Sequence, residues 1–293
     1  MEPGAETHPV RARIRTNTPR SDGGRLAALL TDDGVRIEAA YRPALRAAAD
    51  PAADLAIVVA HGFTGALRRP AVRRAAAVLC EYGAVVTFSF RGHGNSGGRS
   101  TVGDREVLDL DAAVVWARSL GHERVATVGF SMGGSVVLRQ AGLNGGGMGP
   151  RGGEGAHTGG RTEAHADAVV SVSSPARWYY RGTAPMRRLH WVVTRPSGRI
   201  VSRLGLGTRI HPEDWDPVPL SPVEAVCRMG PTPLLVVHGD RDAYFPLDHP
   251  RSLAEAAGPG CELWIEPGFG HAENAAAPEL LRRIGVWLGG HTG

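Results

Sequence analysis

The chain has 293 residues, enough for one large hydrophobic core, and a single domain carrying an insertion is expected rather than two domains. Its 33 basic residues, every one an arginine, against 29 acidic residues leave only a modest positive excess. The arginines form no stripe interleaved with aromatics and accompany a heavy load of Ala, Gly and Pro, which argues for compositional bias and against a nucleic-acid partner.

Residues 1–24 are polar, contain Arg and Pro, and lack an apolar h-region. They are expected to be a disordered tail, neither a signal peptide nor a membrane span. Three distant cysteines, Cys80, Cys227 and Cys261, make no C-x-x-C pair and read as small buried apolar residues, consistent with a cytoplasmic protein in a reducing compartment.

After the tail, residues 25–30 and 35–41 read as a hairpin turning at Asp33-Gly34. The β-branched run Leu55–Ala60 shows no alternation, as expected of a strand covered on both faces. Pro70 opens a helix with Val72, Ala75, Ala76, Leu79 and Cys80 at helical spacing. A strand over 84–90 follows, then a helix capped by Asp104 that carries Val107, Leu110, Val114 and Ala117 on one stripe. The apolar run from Val125 ends in Gly129-Phe130-Ser131-Met132-Gly133 and passes at once into a helix. Beyond it lies a glycine-rich stretch, expected over 143–165 as a flexible insert that links the helix to the strand 168–172. Alternation breaks off over 175–229, an expected lid that holds Trp178, Tyr179, Tyr180, Trp191 and Trp215 with eight arginines from Arg177 to Arg209. The pattern resumes with strands at 234–237 and 261–265. A last helix carries Leu280, Leu281, Ile284 and Leu288 on one side. Strand–helix alternation of this kind argues for a parallel sheet with helices on both faces, with function gathered at the carboxyl ends of the strands.

Gly-x-Ser-x-Gly between a strand and a helix is the context of a nucleophile elbow. A serine there sits in a cramped turn, flanked by glycines that lack an obstructing Cβ, and the helix N-terminus behind it offers free N–H groups to a developing oxyanion. A hydroxyl needs a neutral imidazole to take its proton and a carboxylate to hold that imidazole. Both partners stand after strands: His238-Gly239-Asp240-Arg241-Asp242 through Pro246, and Glu266-Pro267-Gly268-Phe269-Gly270-His271-Ala272-Glu273. Asp240 and Asp242 compete for the acid's role, since either can brace a loop. His61, His93 and His238 share the same rim. They lack H-x-H or H-x-x-x-H spacing, so turn-bracing hydrogen bonds are expected and no metal. Arg91 is expected to be a structural ion-pair partner.

With His61-Gly62-Phe63-Thr64-Gly65, Arg91-Gly92-His93-Gly94-Asn95-Ser96-Gly97-Gly98, the elbow, and the Asp and His loops in this order, the chain resembles the α/β-hydrolase superfamily. Within it the likeness is to the group of monoacylglycerol-lipase-like esterases and prolyl-type serine aminopeptidases. The resemblance runs from about residue 26 to 288 and is weakest in the lid. It implies one domain over 25–293 in an α/β-hydrolase fold, with a mostly parallel eight-stranded sheet, helices on both faces and a small lid insertion. It assigns Ser131 as nucleophile, His271 as general base and acid, and Asp242, four residues before the proline, as the orienting acid. The backbone N–H groups of Phe63 and Met132 become the oxyanion hole, each worth about 3–4 kcal/mol of barrier.

The implied activity is that of a serine hydrolase on a small acyl ester, through an acyl-enzyme and without cofactor or metal. Trp178 and Tyr179 of the lid are the expected substrate contacts. Amino-terminal peptide hydrolysis, thioester hydrolysis, and cofactor-free haloperoxidase or perhydrolase chemistry fit the same triad, and a non-catalytic receptor fits the fold but not a complete triad. If the lid's arginine surplus faced the site, it would draw anionic substrates or lipid headgroups.

Overall fold

Strands buried on both faces need two layers of cover, and the chain supplies them from alternate residues of the same run. Leu55, Ile57 and Val59 join one apolar core and Ala56, Val58 and Ala60 the other. The structure, a computed structural model, describes residues 15–19, 24–45, 54–145 and 162–292. The tail expectation for residues 1–14 and 20–23, and the flexible-insert expectation for 146–161, lie outside the described residues.

In chain order the strands are β1 (Arg15–Pro19), β2 (Arg25–Leu30), β3 (Arg36–Arg42), β4 (Leu55–Ala60), β5 (Ala84–Phe88), β6 (Arg124–Phe130), β7 (Ala168–Val172), β8 (Leu234–Gly239) and β9 (Cys261–Glu266). The helices are α1 (Pro70–Leu79), α2 (Glu106–Ser119), α3 (Met132–Asn144), α4 (Ala184–Thr194), α5 (Pro196–Val201), α6 (Pro222–Val226), α7 (Asp248–Ala257), α8 (Ala272–Ala275) and α9 (Pro278–His291). The sheet order is β1-β2-β3-β5-β4-β6-β7-β8-β9. Pairing is antiparallel from β1 to β5 through β3 and parallel from β5 to β9. All eight expected strands are present, and β1 is a ninth among the described residues. It corrects the tail reading: Arg15, Thr16 and Asn17 pair with Ala28, Ala27 and Leu26 along the free edge of β2, an unpaired ladder that any extended segment can extend.

One core packs α2, α3, α6 and α7 on the sheet, with Trp116, Leu138 and Leu253 at its centre; α1, α8 and α9 cover the other face through Leu79, Leu281 and Ile284. The loops after β4 and β6 depart in opposite directions, because β4 leads through α1 to β5 while β6 leads through α3 to β7. This is the switch point at which ligands enter open α/β sheets. Ala60 and Gly129 are paired in register, so the first residues beyond both strands stand side by side. Among the described residues no helix is long and apolar enough to cross a membrane.

Two sequence expectations are corrected. Asp104 does not cap α2. The Glu106 carboxylate gathers the N–H groups of Thr101, Val102 and Gly103 and the hydroxyls of Ser100 and Thr101, and Asp104 lies 3.5 Å from the Arg139 guanidinium. Cys80 is buried as expected, whereas Cys227 is exposed and Cys261 half-buried.

Arg91 is an ion-pair partner, as expected. Its guanidinium donates to Asp33 at 2.7 and 2.9 Å and to Asp109 at 2.8 and 3.0 Å, which ties the hairpin turn to α2 beneath the β5 loop. Removing it strands the fully buried Asp109 carboxylate, so Arg91→Ala is expected to cost about 3–5 kcal/mol of unfolding free energy. Asp33→Ala, at the partly exposed arm, should cost only about 1 kcal/mol. Denaturant melts of both variants check the order.

Candidate active site

Ser131 occupies the turn between β6 and α3 at φ 52°, ψ −113°, a left-handed conformation that costs a non-glycine residue about 1–3 kcal/mol. The turn closes because its glycines admit backbone where a Cβ would collide. A Cβ on Gly129 would strike the Gly133 carbonyl, and one on Gly133 would strike the Ala60 carbonyl. The Ser131 N–H donates to the Val172 carbonyl at 2.9 Å, and the Ser131 carbonyl accepts from Ser135 N–H at 3.1 Å. The hydroxyl therefore rises from a fixed base.

His271 follows β9 and Asp242 follows β8. The ring places Nε2 2.9 Å from Ser131 Oγ and Nδ1 2.7 Å from Asp242 Oδ2. The Asp242 side chain is wholly buried, and its other oxygen accepts N–H groups from Tyr244 at 2.8 Å and Phe245 at 3.1 Å. Burial pushes this carboxyl up, but the hydrogen bond and charge of His271, the Phe245 N–H and His238 together hold it below the ordinary aspartate value. An ionised Asp242 accepts a hydrogen bond from Nδ1–H, which leaves a lone pair on Nε2 facing the hydroxyl. Tyr244 stacks on the imidazole at 4.2 Å between centroids. Asp240 instead accepts from Gly268 N–H at 2.7 Å and braces the turn, so of the two aspartates it is Asp242 that meets the imidazole.

The other three imidazoles brace backbone. His61 donates from Nδ1 to Gly62 O at 2.7 Å and accepts Phe90 N–H at Nε2, 3.0 Å; burial pushes it down to about 3, so it is neutral. His93 lies against the Phe63 and Arg91 carbonyls, and His238 holds the Phe245 carbonyl at 2.9 Å. Among the described residues no group of three or more His, Cys, Asp or Glu is arranged to hold a metal ion.

Phe63, Ser131 and Met132 form the floor of a cleft of roughly 990 Å³, counting its open mouth. Trp178 and Tyr179 line it, with Trp215 against both at 5.1 and 5.6 Å. Trp178 is fixed through Nε1 to the Pro219 carbonyl at 2.9 Å, and Trp215 to the Thr101 carbonyl at 2.7 Å. Trp191 points outward and is 46% exposed. Met186, Leu189 and Val193, spaced three and four residues apart on α4, complete an apolar wall that sequence reading missed. The signal was present in that spacing behind Thr183, whose hydroxyl caps the helix. Of the eight lid arginines only Arg177 lines the cleft, and it is paired with Asp248, whereas Glu213 and Asp214 stand in the lining. The arginine surplus does not face the site.

A profile of the Alpha/beta hydrolase family matches residues 57–283, and the chain belongs to that family. It is 32% identical over 186 residues to a protein named Esterase LipC from Mycobacterium tuberculosis, a stretch that is 57% of this chain and 40% of that protein. The chain thus spans less than half the length of that relative. Among solved structures, the esterase Pf2001 of Pyrococcus furiosus is similar with a TM-score of 0.67 at 22% identity, over 98% of this chain and 100% of that one. The α/β hydrolase GrgF of Penicillium is similar with a TM-score of 0.65 at 16% identity, over 92% and 99%. These structures share the fold.

Because folding lowers Asp242 from its ordinary value of 3.8, the folded chain binds fewer protons there than the unfolded chain. The stability it contributes is whole above the unfolded value and is lost as pH falls through the folded one. The advantage of wild type over Asp242→Asn in denaturant melts is expected to be larger at about pH 6 than at about pH 3.

Proposed function

We propose that this chain is a serine hydrolase that cleaves a carboxylic ester through an acyl-enzyme intermediate. The observation that carries the reading is the hydrogen-bonded line from Ser131 Oγ through His271 to Asp242, at 2.9 and 2.7 Å, at the floor of an apolar cleft. Ester rather than amide is favoured by the likeness to Esterase LipC.

Ser131 Oγ attacks the ester carbonyl as His271 Nε2 takes its proton, and the tetrahedral oxygen gains a negative charge held by the N–H groups of Phe63 and Met132. Asp242 stabilises the imidazolium. The C–O bond to the alcohol breaks, the alcohol leaves with the proton from Nε2, and the acyl group remains on Ser131. Water then enters through the same base and releases the acid. The apolar wall from α4 and the aromatic trio favour an apolar acyl or alcohol part. With Arg177 neutralised by Asp248 and two carboxylates in the lining, neutral esters are the better fit.

Those carboxylates, Glu213 and Asp214, also support a second reading, amide hydrolysis at a peptide amino terminus, because they can accept an ammonium group. Aminoacyl anilides turned over faster than matched esters would favour it.

Steady-state hydrolysis of p-nitrophenyl esters tests the proposal. Ser131→Ala or His271→Ala should lower kcat about 10⁶-fold with an unchanged melting temperature or a higher one, and Asp242→Asn should lower it about 10⁴-fold with a lower melting temperature at neutral pH. Wild type should prefer a neutral ester over its matched carboxylate analogue by about tenfold at low salt. Full turnover by Ser131→Ala would refute the reading.

A further inference from the structure

Two residues beyond His271, Glu273 lies in the four-residue helix α8 and is only 5% exposed. Its Oε1 accepts the Gly62 N–H at 2.9 Å, and its backbone carbonyl accepts from the Arg74 guanidinium of α1 at 2.7 Å. Burial pushes the carboxyl above its ordinary value, against the pull of the Gly62 N–H. An apolar side chain would fill that buried position without the desolvation cost that a carboxylate carries. The hydrogen bond is what the glutamate adds.

That bond reaches a sensitive place. Gly62 is wedged between the carboxylate and the serine: a Cβ on it would lie 3.2 Å from both Glu273 oxygens and 3.4 Å from Ser131 Cβ. The next peptide plane contains the Gly62 carbonyl and the Phe63 N–H, and a peptide plane turns as one unit. His61 holds that plane by its carbonyl, and His93 with Thr208 holds the Phe63 carbonyl beyond it. Glu273 holds the preceding N–H, and its anchor stands on the same loop as His271.

We infer that Glu273 is a positioning residue of the acyl-transfer site, fixing the β4 loop so that the Phe63 N–H meets the oxyanion while His271 meets Ser131. The inference rests on the triad reading above. Glu273 touches neither substrate nor reacting atoms. It acts through Gly62, and a misplaced oxyanion donor costs rate in the transition state rather than substrate affinity.

The test measures kcat and KM for p-nitrophenyl esters, the rate of fluorophosphonate labelling, and melting temperature in wild type, Glu273→Leu and Glu273→Gln. Glu273→Leu should lower kcat and the labelling rate by about 10–100-fold with KM within about threefold. Glu273→Gln keeps an acceptor for the Gly62 N–H and should recover kcat to within about fivefold of wild type. If Glu273→Leu does not fold, Glu273→Ser, whose hydroxyl is too short to reach Gly62, should show the same kcat loss. A Leu or Ser variant with wild-type kcat overturns the inference, as does a Gln variant as impaired as Leu or a loss confined to KM. Wild type that takes no label at Ser131 brings down the hydrolase reading itself; labelled wild type with an indifferent Glu273 brings down this inference alone.

Discussion

The backbone turn at Ser131 is the constraint from which the site follows. A serine at φ 52° is held only because β6 and α3 enclose it, and they can do so only because Gly129 and Gly133 let strand, helix and the end of β4 approach at backbone distance. The same closeness brings the Gly62–Phe63 loop beside the hydroxyl. A side chain at either glycine would push apart the Ser131 hydroxyl and the Gly62–Phe63 loop, so the turn and that loop are one geometric solution.

Backbone strain is concentrated around this point. The positive-φ residues other than glycine among the described residues are Val102, Ser131, Ser173, Tyr179 and Ala272. Val102, Ser131 and Tyr179 line the cleft, and the Ala272 N–H donates to the Ser173 hydroxyl at 3.1 Å beside His271. Such conformations persist where the surrounding structure over-determines them. Here that structure is a set of buried polar braces: Glu106 under the loop after β5, Arg91 between two aspartates, and His61, His93 and Glu273 around the β4 loop. Each costs desolvation and returns a fixed loop.

Much of this was legible in the sequence because it is local. The eight expected strands announce themselves by apolar runs, α1 by Pro70 and its spacing, and the elbow by a pentapeptide between a strand and a helix. Asp242 and His271 were singled out by their place after strands and by family order, with Asp240 as a rival; the structure puts Asp242 against the imidazole and Asp240 against Gly268 N–H. What escaped depends on distant partners. The Arg15–Pro19 strand exists through its pairing with β2, and Glu106 displaces Asp104 because three N–H groups turn toward it. Glu273 gains its meaning from Gly62, 211 positions away. Charge count was misleading for a similar reason: eight lid arginines suggest an anion-seeking mouth, but all except Arg177 lie outside its lining.

In the proposed reaction the Ser131 hydroxyl, activated by His271, is the atom that becomes acylated. Mass-spectrometric mapping after reaction with a fluorophosphonate tests it most directly. A single adduct is expected on the peptide bearing Ser131, formed much more slowly in His271→Ala. An unmodified Ser131, or an adduct that forms equally fast without the imidazole, would contradict it.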